Sequence, residues 1–421
     1  MQDGKEKNGM MQKIAQRIGP GIITGASDDE ASGILTYLQS GVVMGLSSLW
    51  TALFSLPLMY AIQEMCGRIG YITDGGIVKV LRENFSKWFL YPIVIVSLIV
   101  VIINIGADLL AMSVVLEHIA PIERVIFIPL VALVIALSFI VFSYERFSNI
   151  LRWATLSLLF YVAVAFFIRV DWANIVYNTL IPSISFSKET FLLLSAIIGT
   201  TISPYLFFWQ ANEEAEERNK IQEQHPLKRF IITKRSLKVL RRDTLVGMIL
   251  SNTVMWFILV AGTHIASYGV GHITSFQDAA LALEPLLGSW AFAAFGLGII
   301  GTGLLAIPVL AGSVGYMIAE LFHWHEGINK KFKEAKGFYL VIIASTLGGV
   351  ATALLGTNPV GLLITTALLY AIITPILIFL IMIVANNKNI MKGKTNSILS
   401  NTLGTITFLV TLTCVVMYLI T

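Results

Sequence analysis

The chain has 421 residues, of which 56% are hydrophobic and 13% charged, with a formal charge of +4 and a mean hydropathy of +0.79. Soluble domains carry about 25% charged residues, so this balance argues against a soluble enzyme or a nucleic-acid-binding domain and describes a membrane protein. Its two cysteines, Cys66 and Cys414, lie in apolar stretches and offer neither a disulfide framework nor a zinc spacing.

Apolar runs of about 20 residues, the length that crosses a hydrocarbon core, recur along the whole chain. They predict eleven spans at 14–42, 47–66, 89–116, 122–143, 150–169, 189–211, 245–266, 289–321, 337–355, 358–385 and 398–420. The polar residues 1–13 predict a cytoplasmic tail rather than a cleavable signal peptide. Alternating the loops between two sides puts 26 of the 29 Lys and Arg residues on one side, in the tail, 68–87, 146–152, 218–242, 330–336 and 388–394. Only Arg124, Arg169 and Lys188 fall on the other. Basic loops are cytoplasmic, so the N-terminus is expected inside and the C-terminus outside a cell membrane. That asymmetry also accounts for the net positive charge without an acidic partner.

The first span reads Gly19-Pro20-Gly21-Ile22-Ile23-Thr24-Gly25-Ala26-Ser27-Asp28-Asp29-Glu30-Ala31-Ser32-Gly33. Each charge at a helix centre costs about 2.5–3.5 kcal/mol on insertion scales. On a continuous helix the three acids would fan over about 200° of arc at about 100° per residue, and some would face lipid. A broken helix with irregular backbone inside the protein is therefore expected. Every Lys and Arg lies in a tail, a loop or at a membrane face, so no basic side chain is available to neutralise the acids. Protonation and a bound cation are the remaining options, and a cation held by carboxylates and unwound carbonyls is the expected one.

Further along, Glu64 and Arg68 are four apart and predict an ion pair, and 75–88 predicts a basic amphipathic helix along the inner interface. Residues 275–287 predict a similar segment outside. Asp108 is placed near a membrane face as a solvated acid, with a second site or a proton carrier as the alternative. The sixth span carries Gly199-Thr200-Thr201-Ile202-Ser203-Pro204-Tyr205, where the proline predicts an interruption that frees carbonyls near Thr200 and Thr201. Residues 212–243 are expected to form a charged cytoplasmic loop, with Glu213, Glu214, Glu216 and Glu217 as a solvated helix end. His264, His323 and His325 are read as interfacial residues, not ligands. Spans one and six open two five-helix blocks, 14–170 and 188–385, of opposite orientation, followed by 398–420. Paired interruptions in corresponding helices of inverted halves mark a transporter's substrate site.

These residues carry a family resemblance. Gly19-Pro20-Gly21, the acidic break, Leu38-Gln39-Ser40-Gly41 and Gln63-Glu64 to Arg68-Ile69-Gly70 resemble the Nramp divalent-metal transporters over nearly the whole chain. The resemblance is closer to their magnesium-transporting relatives, through Ser32-Gly33 and Ser203-Pro204-Tyr205. It implies an all-α LeuT-type membrane fold, a 5+5 inverted repeat with broken first and sixth helices plus an eleventh. It also implies transport of a divalent metal, Mg²⁺ or Mn²⁺, by Glu30, Asp29, Asp28, Ser27, Gly33, Thr200 and Ser203. Glu30 and Ala31 depart from the family's Asp-Pro, which leaves Asp29 and Glu30 as rival lead ligands. The thioether and histidine of the Nramp sixth helix are replaced by Ser203 and Tyr205, and oxygen-only donors suit hard ions. The acidic helix-three positions of proton-coupled members match Val100 and Ile103, which predicts little or no proton coupling.

The metal is cargo; no resident cofactor is implied, and nothing in the sequence specifies an oligomer. Two alternatives are a proton-coupled Mn²⁺/Fe²⁺ symporter and a LeuT-fold carrier of an organic substrate. The acid cluster disfavours an anionic substrate for the latter. A receptor or scaffold lacks any attached soluble domain, and no Ser/His/Asp set, P-loop or His-Glu-x-x-His motif supports an enzyme. Reporter fusions should place the tail and 212–243 in the cytoplasm and Thr421 outside; a cytoplasmic Thr421 would contradict the eleven-span reading.

Overall fold

The computed structural model describes residues 19–120, 122–141, 162–163, 166, 171–224, 231–356 and 358–420. The regular elements among them are helical. In chain order the principal ones are α1 (Pro20–Asp28), α2 (Ala31–Met44), α3 (Trp50–Thr73), α4 (Ile77–Asn84), α5 (Lys87–Ile119) and α6 (Arg124–Val141). After these come α7 (Trp172–Leu180), α8 (Lys188–Thr201), α9 (Pro204–Gln224), α10 (Lys234–Ile265), α11 (Ala291–Phe322), α12 (Lys336–Leu355), α13 (Pro359–Asn386) and α14 (Ile398–Ile420). Seven helical stretches among the described residues are long and apolar enough to cross a membrane, and the chain bends by 106° between Ala31–Ser48 and Trp50–Thr73. The expected fifth span, 150–169, lies outside the described residues apart from 162–163 and 166.

Both expected interruptions are present. Pro20, at the first helical position where its missing N–H costs nothing, starts α1, and Asp29 ends it with φ −85° and ψ 56°. Glu30 is extended, at φ −76° and ψ 177°, and its carbonyl accepts the Ile34 N–H at 2.9 Å to begin α2. The sixth span breaks between α8 and α9, where Ile202 leaves helical geometry ahead of Pro204.

Packing joins the breaks. α10 lies along both α1 and α2, α9 along α3, and α8 along α13 and α14, while α5 packs on α11, α12 and α13. The broken helices therefore sit inside, and the lipid-exposed apolar side chains belong to the outer helices. The interfacial helix expected over 75–88 forms as α4, buries Ile77, Val78, Val80 and Leu81, and has its Gly76 and Lys79 N–H groups capped by the Glu320 carboxylate. The segment expected at 275–287 forms the short turns Phe276–Ala280, Leu281–Leu283 and Glu284–Leu287.

The expected charged loop is corrected. Residues 212–243 are largely helix: α9 continues to Gln224 and α10 starts at Lys234, with 225–230 outside the described residues. Glu213 and Glu214 are buried rather than solvated. Glu216 accepts the Ile328 N–H at 3.0 Å, the Asn329 side chain at 2.6 Å and the Tyr316 hydroxyl, so it pins the turn after α11. Packing of this helix against α3 outweighs its charge.

The expected Glu64–Arg68 pair forms at 2.9 Å and is enlarged. The guanidinium, 1% exposed, also donates to the Lys394 carbonyl at 2.6 Å and to Asn396, while Arg241 reaches Glu64 at 2.9 Å. Breaking a buried pair costs about 3–5 kcal/mol. Since Arg241 remains beside Glu64, Arg68→Met should cost about 3 kcal/mol, measured as a lower thermal midpoint of the detergent-solubilised protein.

Candidate functional site

The first break gathers four buried acids, and their hydrogen bonding sorts them. Asp28, Asp29 and Glu30 are 0%, 1% and 1% exposed. Glu30 is fully engaged: Oε1 accepts from Ser32 at 2.8 Å and Oε2 from Asn104 of α5 at 2.7 Å. Asp28 Oδ2 accepts from Ser251 of α10 at 2.8 Å, and its Oδ1 has no partner among the described residues. Asp29 has none for either oxygen. It sits in the break itself, just past the last residue of one half-helix and just before the cap of the next.

Asp108 departs from expectation. Instead of a solvated acid near a membrane face, it is a fully buried residue of α5 whose carboxyl group lies against that of Glu30, and neither of its oxygens receives a bond from an N–H or hydroxyl donor among the described residues. Asn104, four residues earlier, is therefore on the same helix face. Two polar residues at that spacing in an apolar helix are a readable signal, and sequence reasoning passed over Asn104. Ser251 carries no such signal, because a lone serine in a span is commonplace. Tyr370 adds a buried hydroxyl without a partner among the described residues.

The second break contributes less than expected. Ser203 turns its hydroxyl back onto the Gly199 carbonyl at 3.2 Å and the Thr200 carbonyl. Thr200 donates to Ala196 and Ile197 carbonyls at 3.1 and 3.0 Å. The Ile202 carbonyl accepts from Thr374 at 3.3 Å. Carbonyls released by Pro204 are thus largely recaptured by hydroxyls, the usual remedy inside a membrane helix. Ser27 donates to Ile23 at 2.8 Å and its own carbonyl accepts from Tyr205 at 2.8 Å, which ties α9 to α1. Tyr37 and Thr201 make the matching tie at 3.0 Å between α2 and α8. Gly33 packs beside the break, where a Cβ would stand at an ordinary contact distance of 3.4 Å from the Asp28 carbonyl and the Tyr37 ring.

No Lys or Arg among the described residues forms an ion pair with these acids. Nor do three His, Cys, Asp or Glu side chains among them converge into a ready metal cage. What the site offers is oxygen donors, with the free ones on Asp29, Asp28 and Asp108. That set suits a hard ion that keeps part of its water shell, since Mg²⁺ is usually held by one or two carboxylates plus waters.

A family model, Nramp (natural resistance-associated macrophage protein-like), matches residues 21–421. The divalent metal cation transporter MntH of Caldanaerobacter subterraneus subsp. tengcongensis is 24% identical over 436 residues, which cover 97% of this chain and 94% of that protein. The Eremococcus coleocola manganese transporter, in complex with an aromatic bis-isothiourea compound, matches with a TM-score of 0.71 at 13% identity. The match covers 98% of this chain and 87% of that one. Mhp1, a nucleobase-cation-symport-1 family transporter, matches in a closed conformation with a TM-score of 0.54 at 11% identity, over 96% of this chain and 91% of that one. The structural likeness establishes the LeuT-type fold.

A buried polar group left without a partner costs about 1–3 kcal/mol. Asp29→Ala should therefore raise the stability of the metal-free protein by about that amount, read as a higher thermal midpoint in chelator. A lower midpoint would mean that the carboxylate is satisfied within the fold.

Proposed function

Because this chain belongs to the Nramp family, we propose that it carries hard divalent cations, Mg²⁺ or Mn²⁺, across the membrane with little or no proton coupling. The observation that carries this reading is Asp29, a buried carboxylate in a helix break with both oxygens unpartnered among the described residues. A divalent ion supplies the missing partner and the missing positive charge together. The relatives support the substrate class: one is named a divalent metal cation transporter and another a manganese transporter.

In this reading Asp29 and Asp28 bind the ion directly, with waters completing its shell. Glu30, held by Ser32 and Asn104, fixes the break and the charge around it. Ser27, Gly33, Thr200 and Ser203 shape the backbone that surrounds the ion. No thioether or imidazole comes from the second break, where Ser203-Pro204-Tyr205 stands, and oxygen donors favour hard ions over softer ones. The basic loops orient the N-terminus and the 218–242 side toward the cytoplasm.

One observation favours the rival reading of proton-coupled symport. One divalent ion balances two of the four acids, and Asp108 beside Glu30 adds a group that the ion does not require. Uptake into liposomes loaded with a pH dye separates the two. Mg²⁺ and Mn²⁺ should enter without acidification; acidification that scales with uptake would establish symport instead. Asp29→Ala should abolish uptake, and Glu30→Gln should slow it about 10–100-fold, as for a group that orients a ligand. Full transport after neutralising Asp28, Asp29 and Glu30 together would place the site elsewhere.

A further inference from the structure

A residue outside the acid cluster holds the far end of the half-helix that carries it. Asp243, near the start of α10, accepts the Gly19 N–H at 3.0 Å and the Gly21 N–H at 2.7 Å, one on each carboxylate oxygen. These are donors at the α1 N-terminus, which no residue of α1 caps, since Gly19 has no side chain to do so. A helix N-terminus carries about half a positive charge, so an anionic cap from another helix is a charge-assisted bond between the two.

The backbones below it are in contact. A Cβ on Gly21 would lie 2.5 Å from the Thr244 Cα, one on Gly25 would strike the Gly247 carbonyl, and one on Gly247 would strike the Gly21 carbonyl. One turn along, the Thr24 hydroxyl donates to Gln210 of α9, and Gln210 donates to Glu214 at 3.1 Å. α1 therefore lies sealed against α10 and α9. At nine residues it is too short to be stable as an isolated helix, so its position depends on what grips it.

We propose that Asp243 is a positioning residue for transport: its two bonds to Gly19 and Gly21 latch α1 against α10, and releasing them opens the ion site toward the side that carries the basic loops. The proposal rests on the reading of the α1–α2 break as the ion site, and its test requires no ion.

Ala26, buried in α1, is replaced by Cys in the full-length protein; the native Cys66 and Cys414 are buried and set the background. Labelling by a membrane-impermeant maleimide is followed in inverted and in right-side-out vesicles. Adding Asp243→Ala should raise the rate in inverted vesicles about tenfold or more, the effect of losing a charge-assisted bond on a two-state opening. Asp243→Asn, which keeps one carbonyl acceptor, should fall between. Rates unchanged in both variants would overturn the latch, and if Asp243→Ala does not reach the membrane, Asp243→Asn decides by the same criterion. Faster labelling confined to right-side-out vesicles would overturn the proposed direction of opening. A failure of Asp29→Ala to affect uptake would remove the ion-site reading while leaving the labelling result intact.

Discussion

The hydrocarbon core supplies no hydrogen-bonding partner, and most of this structure follows from having to place acids there. A carboxylate at membrane depth must find a donor, a counter-charge or a position off the lipid-facing surface. Three in succession cannot all turn inward on a regular helix, so the helix ends at Asp29 and restarts after Glu30. Once broken, its two ends expose backbone groups that the surrounding helices must satisfy. Tyr205 of α9 donates to the Ser27 carbonyl there, Ser251 of α10 and Asn104 of α5 donate to the Asp28 and Glu30 carboxylates, and Asp243 of α10 accepts the N–H groups at the far end of α1. Much of the polar interior thus answers the break, and the supply of donors falls short at Asp29, at one oxygen of Asp28 and at Asp108.

The same constraint explains why the two interruptions differ. At the first, charge breaks the helix and leaves unsatisfied oxygens. At the second, a proline breaks it, and neutral carbonyls are easily repaired by neighbouring hydroxyls, as Ser203 and Thr374 do. A carboxylate needs two or more good donors, and one stray hydroxyl does not suffice. The asymmetry concentrates the chemistry on the acidic side of the pair.

Legibility in the sequence divides along similar lines. The first break can be read from Asp28-Asp29-Glu30 because charge at membrane depth has a large cost and few remedies. The second can be read from Pro204, and the Glu64–Arg68 pair from its spacing. Asp108 defeats the reading because depth within a 33-residue helix is set by where the helix enters the membrane, which its own composition specifies poorly. The Glu213–Glu216 stretch fails for a related reason: a dense run of charge resembles a solvated loop unless its packing against α3 is known. Ser203 and Thr200 show a third limit. Their residue types suit ligation, but whether a hydroxyl points at an ion or at its own helix is a matter of rotamer, which sequence does not carry.

α10 is the element that joins these local facts. It meets α1 at both ends, through Asp243 at the start of the half-helix and through Ser251 on Asp28 at its finish, with the Gly21–Gly25 and Gly247 contact between them. The two polar contacts lie eight residues apart on α10, about 12 Å at 1.5 Å per residue, a span comparable to the length of α1 itself. A rigid displacement of α1 away from α10 therefore breaks both together. In the proposed latch, losing the cap frees the start of the half-helix, and losing the serine changes the hydrogen bonding of Asp28, a proposed ligand. One short helix held at two points by one long neighbour thus ties access to the site and the state of its carboxylates to the same motion.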